Sequence, residues 1–184
     1  KWGFNFEDSK EYTLKASGIP DLAVNFMEAT SFQFIYEAPK NLTFKGLVIN
    51  EIMPAPRAGN SLPNVEYVEI FNPGDRAIYL GGFQLANSKR KTTLPSYLLE
   101  PGKYLILTPR TSASLFANFG SVIGLANWPT LLNSGDQVKI LDPENRVIDS
   151  LAYTTATFGG STFAQGGYSL EIVNPYLDCN IATN

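Results

Sequence analysis

Two short apolar runs near the middle of the chain constrain its fold more than any other feature. The run LVINEIM occupies residues 47–53, and VEYVEIF occupies residues 65–71, directly before Asn72, Pro73 and Gly74. Runs of this length that are rich in Val, Ile, Tyr and Phe and bounded by turn residues are typical of β-strands. The pattern therefore predicts two strands of an all-β domain, with a turn that closes the second strand.

The same rhythm of short strands and turns continues along the chain. Further strand-like runs lie at residues 76–80, 83–86, 91–94, 103–108, 137–141, 146–153 and 168–173. One segment breaks the rhythm, because Leu115, Phe116 and Phe119 recur at helical spacing. Thr111 is suited to cap the start of this helix and Gly120 is suited to end it. We therefore predict an all-β sandwich or barrel with one short helix over residues 111–119.

Four segments resemble, in the correct order, parts of bacterial lamin tail domains. They are VINEIM…EYVEIFNPGDRAIYLGGFQLANS, LPSYLLEPGKYLIL, LLNSGDQVKILDPENRVIDSLAY and GGYSLEIVNP, and together they span about residues 46–178. The resemblance implies an immunoglobulin-like β-sandwich. Two places depart from the family's pattern. Asn145 stands where the family's hairpin usually has Gly, and the family's usual closing motif does not follow Cys179. Asn145 also tolerates a left-handed backbone, so the turn is still expected there.

Residues 1–45 have a different character. Alternating runs at residues 11–16 and 31–36 predict two strands around a turn-rich segment. Their motif resembles the last strands of bacterial immunoglobulin-like domains of the surface-layer type. Its positions are Tyr12, Leu14, Gly18, Asp21, Asn25, Phe32 and Phe34. We therefore predict the end of one such domain and a linker in residues 1–45, followed by the lamin-tail-type domain in residues 46–184. The alternative is that the first two strands belong to the main domain.

Composition argues against several classes of function. The net charge is −3, which disfavours nucleic-acid binding, and the one basic cluster, residues 89–91, is expected to be a solvated hairpin turn and not an anion site. The chain contains no His, so Ser-His-Asp and Cys-His catalysis and Cys/His metal clusters are excluded. Cys179 is the single Cys, so it is inert or pairs outside this chain. No apolar run is long enough to span a membrane. We predict no catalytic residues, no metal and no cofactor.

Acidic residues are candidates for two kinds of site. Glu51, Glu66 and Glu69 lie on the two central runs, where paired carboxylates would suit a glycosidase. Strand alternation places Glu66 and Glu69 on opposite faces, which favours structural roles. Oxygen ligands for Ca²⁺ are available in or near the turns, at Asp75, Asp136, Asp142, Glu144 and Asp149. Asp-x-Asp spacing is absent, so turn capping is the favoured role of these side chains.

Aromatic residues cluster late in the sequence and offer a third kind of site. They are Trp128, Tyr153, Phe158, Phe163, Tyr168 and Tyr176. Exposed rings stack on the faces of sugars, whereas buried rings fill the core. Trp128, Tyr153 and Tyr168 are the candidate ligand-binding residues, and both interpretations of these rings remain open.

These observations favour a non-catalytic structural or interaction module. The resemblance implies an accessory domain of a larger exported bacterial protein, located outside the cell or on the cell surface. We expect it to contact other domains of the same protein, or protein or glycan at the cell surface. The alternative is a carbohydrate-binding module that targets an associated hydrolase. A homodimer formed by strand exchange is a further hypothesis.

Overall fold

The computed structural model of this chain describes residues 5–7, 10–36, 41–59, 61–159 and 166–176. The chain divides into two units, Lys1–Asn41 and Leu42–Asn184, which are described one at a time. Residues 37–40 of the predicted linker lie outside the described residues, as do Phe163 and Cys179.

Among its described residues, the first unit contains one antiparallel pair of strands. Strand β1 (Lys10–Ala16) pairs with β2 (Thr30–Tyr36) over their full length. Tyr12 lies directly opposite Phe34, and Leu14 lies opposite Phe32, so the aromatic and aliphatic positions of the motif share one face of the sheet. This face remains accessible, since Leu14 is 55% exposed and Phe32 is 65% exposed.

The loop between β1 and β2 is organised by Asp21. Its Oδ1 accepts hydrogen bonds from the backbone N–H groups of Ala23 at 2.8 Å and Asn25 at 2.9 Å, and the Asn25 side chain donates to Oδ2 at 3.1 Å. The hydrogen bonds from Asn25 lower the pKa of the Asp21 carboxyl. Asp21 and Asn25 of the sequence motif are four residues apart, and at this spacing their side chains close the turn together.

The second unit is a β-sandwich. Its strands are β3 (Val48–Met53), β4 (Tyr67–Phe71), β5 (Ile78–Tyr79), β6 (Gln84–Ala86), β7 (Lys91–Thr93), β8 (Leu98–Leu99), β9 (Tyr104–Pro109), β10 (Val122–Leu125), β11 (Gly135–Leu141), β12 (Val147–Thr154) and β13 (Leu170–Glu171). One sheet has the order β10-β9-β4-β3-β13 and the other has the order β12-β11-β6-β7, while β5 pairs with β8. The architecture confirms the predicted all-β, immunoglobulin-like sandwich.

Alternating apolar residues from both sheets form the core of this unit. Val68 and Ile70 of β4 are fully buried there, as are Val138 and Ile140 of β11. In β3 the alternation is interrupted by a bulge at Asn50, where the register with β4 shifts. The extra residue lets both Ile49 and Ile52 face the core and turns Glu51 to the outer face of the sheet.

The predicted helix is present in a shorter and tighter form. Residues Arg110–Phe116 form a 3₁₀ helix, and a second one, Thr155–Phe158, was not predicted. The prediction that Thr111 caps the helix was wrong, because the helix follows Pro109 and no side chain caps its start. Phe116 is buried on the outer face of the five-stranded sheet, whereas Phe119 remains 47% exposed. The apolar spacing therefore marked one buried contact and not a full amphipathic helix.

Candidate functional site

Trp128, the first of the three predicted ligand-binding residues, is half-buried and bonded to Glu66. Its indole Nε1 donates to Glu66 Oε2 at 2.5 Å, and the backbone N–H of Leu131 donates to the same oxygen at 3.1 Å. Burial raises the pKa of Glu66, while the hydrogen bonds from Trp128 and Leu131 oppose that rise. Glu66 therefore fixes the segment between β10 and β11 and does not join the other two central glutamates.

The other two predicted residues lie in different surroundings. Tyr153 is 2% exposed in the sandwich core, and its hydroxyl donates to the backbone oxygen of Leu132 at 2.8 Å. A ring in this position has no face to offer a ligand, which corrects its assignment to a binding platform. Tyr168 is 52% exposed and borders a shallow depression of about 470 Å³, together with Arg57 and Ser61.

Three glutamates form a row across the outer face of the five-stranded sheet. Glu51 lies directly opposite Glu69 on one side and Glu171 on the other, and we call these three residues the acidic row. Tyr67 donates its hydroxyl proton to Glu51 Oε1 at 2.7 Å, and the Asn50 side chain donates to Glu69 Oε1 at 2.8 Å. Like charges in directly opposed positions weaken a sheet, so this row costs the fold stability.

Burial and neighbouring negative charge both raise the pKa of Glu69 in the acidic row. Burial is the first cause of the raised pKa of Glu69, the hydrogen bond from Asn50 opposes it, and the charges of Glu51 and Glu171 add to it. Glu171 lies within the strand-like run predicted at residues 168–173, but its place in the acidic row was not predicted, because β13 pairs with a strand more than 100 residues earlier.

Aromatic rings lie beside the acidic row on the same face. The ring of Phe71 lies 4.4 Å from that of Tyr104 and 5.2 Å from that of Tyr176, which meets it edge-on. Phe71 is buried under the two tyrosines, which are 42% and 65% exposed. The sequence grouped Tyr176 with a sugar platform, but its ring covers an apolar residue.

Two of the turn carboxylates, Asp142 and Asp136, accept several hydrogen bonds within the chain. Asp142 Oδ1 accepts the backbone N–H groups of Glu144 at 3.0 Å and Arg146 at 2.8 Å, while Arg146 Nε lies 2.6 Å from Oδ2. Burial by itself raises the pKa of Asp142. The hydrogen bonds and the positive charge of Arg146 outweigh this effect, so the pKa is lowered. Asp136 likewise accepts the backbone N–H groups of Ser88 at 3.1 Å and Gln137 at 2.8 Å.

The same side chains do not converge on a metal site. In the part of the chain that the structure describes, no three Asp, Glu, His or Cys side chains are arranged to hold a metal ion. Asp136, Asp142, Glu144 and, as described below, Asp149 bond to backbone amides or to cations of the chain, which is the structural role that the turn sequences favour.

A cleft on one side of the sandwich lies between two outer strands, β7 of the four-stranded sheet and β10 of the five-stranded sheet. Residues 91–95 and 124–127 line it together with Arg110, and its volume is about 340 Å³. We call it the edge cleft. Lys91 lies at the cleft and donates to Asn145 Oδ1 at 2.7 Å. No feature of the sequence indicated this cleft, because the strand at residues 122–125 was not predicted.

The basic cluster at residues 89–91 leads into β7 and the edge cleft. Asn87 Oδ1 accepts the backbone N–H groups of Lys89 at 2.9 Å and Arg90 at 2.7 Å, which closes the β6–β7 hairpin. The predicted solvated hairpin turn is therefore present. Together with Lys91 and Arg110, it concentrates positive charge on one side of a chain whose net charge is −3.

Comparison with known proteins identifies the family. No curated protein matches the chain, and none of the helices among the described residues has the length and apolar character needed to cross a membrane. A sequence model described as Lamin Tail Domain matches residues 42–155, which make up more than half of the chain and most of the sandwich. This family of immunoglobulin-like domains is non-enzymatic. The chain therefore belongs to the lamin tail domain family.

Proposed function

We propose that this chain is a non-catalytic docking module of a larger exported bacterial protein. The proposed bacterial origin and export are supported by the resemblance of residues 46–178 to bacterial lamin tails and of residues 1–45 to surface-layer-type domains. In this proposal the module acts outside the cell or at the cell surface, where it binds a protein segment or another domain of its own protein.

The observation that carries the docking proposal is the open strand edge at the edge cleft. Leu94, which directly follows β7, directs its backbone groups toward the β6 side. Its N–H donates to the backbone oxygen of Phe83 at 2.7 Å, and its backbone oxygen accepts from the N–H of Gly82 at 3.4 Å. Because alternate residues direct their backbone groups to opposite sides of a strand, Lys91 and Thr93 direct theirs away from β6. Among the described residues no strand pairs with this edge of β7. An extended segment adds to such an edge by backbone hydrogen bonds.

Charge selects the kind of segment that fits the cleft. Lys91 and Arg110 line the cleft, and Lys89 and Arg90 lie in the adjoining hairpin turn. Opposite charges across an interface speed association and exclude partners of like charge. The segment that we propose is therefore extended and acidic, with Asp or Glu at alternate positions facing the basic side chains.

Two synthetic peptides test this proposal. A ten-residue peptide that alternates Val and Glu, and a matched peptide that alternates Val and Lys, are titrated into the isotope-labelled chain, and amide shifts are followed by NMR. We expect the acidic peptide to shift the amides of β7 and β10, and the basic peptide to leave them unchanged. Arg110→Glu should abolish the shifts, whereas Arg57→Glu, a matched reversal at another exposed site, should not. Equal shifts with both peptides, or no shifts, would overturn the docking site.

The second candidate function, carbohydrate binding, is favoured by the surroundings of Tyr168. Its ring is 52% exposed and borders the depression that also contains Arg57 and Ser61, a combination of a stacking face and polar groups that suits a sugar. A glycan array tests it, with Tyr168→Ala as the variant expected to lose binding. Tyr79→Ala removes a tyrosine of similar exposure, 53%, and should bind like the unaltered chain. Absence of glycan binding would leave protein docking as the proposed function.

A further inference from the structure

We propose that two copies of the chain associate through the outer edges of their β1 strands, forming a continuous antiparallel sheet in the order β2-β1-β1-β2. This interface lies in the first unit and is independent of the docking proposed for the sandwich. The partner is a second copy of the same chain, because the charges along β1 are complementary to those of the same strand in reverse.

The sheet of the first unit offers two surfaces for association, which are the outer edge of β1 and the exposed apolar face. Its sheet has two strands, and no strand among the described residues pairs with the outer edge of β1. Two-stranded sheets are marginally stable in water, whereas three or more strands with an apolar face are stable alone. Because Leu14 and Phe32 on the apolar face are more than half exposed, added strands extend a surface that is already available for packing.

The charges along β1 make the strand complementary to itself. When two β1 strands run antiparallel with Thr13 opposite Thr13, Glu11 of each copy lies opposite Lys15 of the other. Directly opposed residues in an antiparallel pair have Cβ atoms about 4.5–5.5 Å apart, within reach of an ion pair. The two-fold symmetry forms this pair twice. Tyr12 also falls opposite Leu14, which joins the apolar faces of the two copies.

Within the described part of one copy, both charges lack an ionic partner. Glu11 lies opposite Ile35 and Lys15 lies opposite Ser31 across the β1–β2 pair, and neither forms an ion pair among the described residues. A one-residue slip of the β1–β1 register would place Tyr12 opposite Thr13 and mix the two faces. A two-residue slip would place Glu11 or Lys15 opposite Thr13. The register centred on Thr13 is therefore the one in which both of these charges find a partner.

The other strand of the hairpin does not offer this complementarity. Strand β2 has the sequence TSFQFIY, which contains no charged residue. An edge of this kind can pair with itself in several registers, because no charge distinguishes them. The specific interface is therefore assigned to β1.

Charge reversal tests the interface on the full chain by sedimentation equilibrium. The unaltered chain should form a dimer. Glu11→Lys and Lys15→Glu each place like charges opposite one another twice, and each should weaken the dimer by about tenfold or more. An equimolar mixture of the two variants should associate again. One variant then carries positive charge and the other negative charge at both positions, so each cross-strand pair joins opposite charges. Glu28→Lys reverses a charge outside β1 and should leave the dimer unchanged.

Each outcome of this experiment supports or overturns a stated part of the proposal. Circular dichroism of each variant verifies that the fold is retained, and recovery of association in the mixture shows that neither substitution acts by unfolding. A monomeric unaltered chain overturns the interface, and so does a dimer that both single variants preserve. A dimer lost in each single variant but not recovered in the mixture overturns the register centred on Thr13. Peptide binding at the edge cleft is unaffected by any of these outcomes.

Discussion

The buried carboxylate of Asp149 accepts a hydrogen bond from the backbone N–H of Ile49 at 2.7 Å, although the two residues are 100 positions apart in the chain. Asp149 belongs to β12 of one sheet and Ile49 to β3 of the other, so this bond connects the two layers of the sandwich. Its second oxygen lies 2.7 Å from Lys45 Nζ. Asp149 is 1% exposed, and its charge is balanced by that lysine.

Replacement of Asp149 should be among the most destabilising polar changes in the chain. We expect Asp149→Ala to lower the free energy of unfolding by about 3–5 kcal/mol, because it leaves Lys45 and the Ile49 amide without their buried partner. Urea denaturation followed by intrinsic fluorescence measures this loss. Asp75→Ala makes the same change in an exposed turn and should alter stability by less than about 0.5 kcal/mol. Similar losses for both variants would contradict the connecting role of Asp149.

The acidic row predicts a pH dependence of stability. The pKa of Glu69 is raised in the folded state, first by burial and then by Glu51 and Glu171. A carboxyl with a raised folded-state pKa holds its proton more tightly when folded, so its contribution is greatest at low pH and declines as pH rises above the ordinary value of 4.5.

Glu69→Gln removes this titration and retains the oxygen that accepts the Asn50 hydrogen bond. We expect the variant to be more stable than the unaltered chain at neutral pH, with the difference vanishing below about pH 4. Thermal unfolding across this pH range measures the difference. A difference that stays constant with pH would show that the charge of Glu69 is not involved. Glu100→Gln, on an exposed turn, provides the matched control.

Trp128 should contribute to stability through its bond to Glu66. Trp128→Phe retains an aromatic ring but removes the Nε1–H that donates to Glu66 Oε2. We expect a loss of about 1.5–3 kcal/mol, since a hydrogen bond to a charged, half-buried acceptor is removed. Chemical denaturation measures it, with Tyr79→Phe as a control that removes an exposed hydroxyl. An unchanged stability would contradict the stabilising role of the bond between Trp128 and Glu66.

Two buried tyrosines should resist ionisation. Burial, the hydrogen bond to Glu51 and the charge of Glu51 raise the pKa of Tyr67, and burial followed by the charges of Asp136 and Glu66 raises that of Tyr153. Because the unfolded chain releases these protons near the ordinary value of 10.0 and the folded chain does not, stability declines as pH rises above it.

Alkaline titration followed by phenolate absorbance tests this expectation. Of the nine tyrosines, the two buried ones should ionise only when the sandwich unfolds, giving a late step in the absorbance. Tyr67→Phe and Tyr153→Phe should each reduce the amplitude of that step. A titration that completes while the circular dichroism is still that of the folded chain would contradict the burial of both hydroxyls.

Local features of the sequence predicted much of the fold. Alternating apolar runs marked β3, β4, β9, β11 and β12, because each run buries one or both faces of a strand. Asn145, placed at the β11–β12 turn, adopts the left-handed backbone expected of it, with φ of 64°. The β1–β2 pair was likewise indicated by alternation, and Asp21 and Asn25 meet in its turn.

Two short strands escaped prediction, β8 with two residues and β10 with four. A strand this short carries too little alternation to be recognised, and it exists because a longer strand provides hydrogen bonds along its edge. β10 pairs in parallel with β9 after a 3₁₀ helix, a connection that no local signal specifies.

By itself, the sequence determined the class of fold and the absence of histidine chemistry, because both depend on residue type and short-range spacing. Only the tertiary structure decided what each candidate side chain does. It placed Tyr153 in the core, bonded Glu66 to Trp128, and aligned Glu51 with Glu69 and Glu171. The physical reason is that burial, strand register and the bulge at Asn50 arise from contacts between residues tens to more than one hundred positions apart, and no local pattern encodes them.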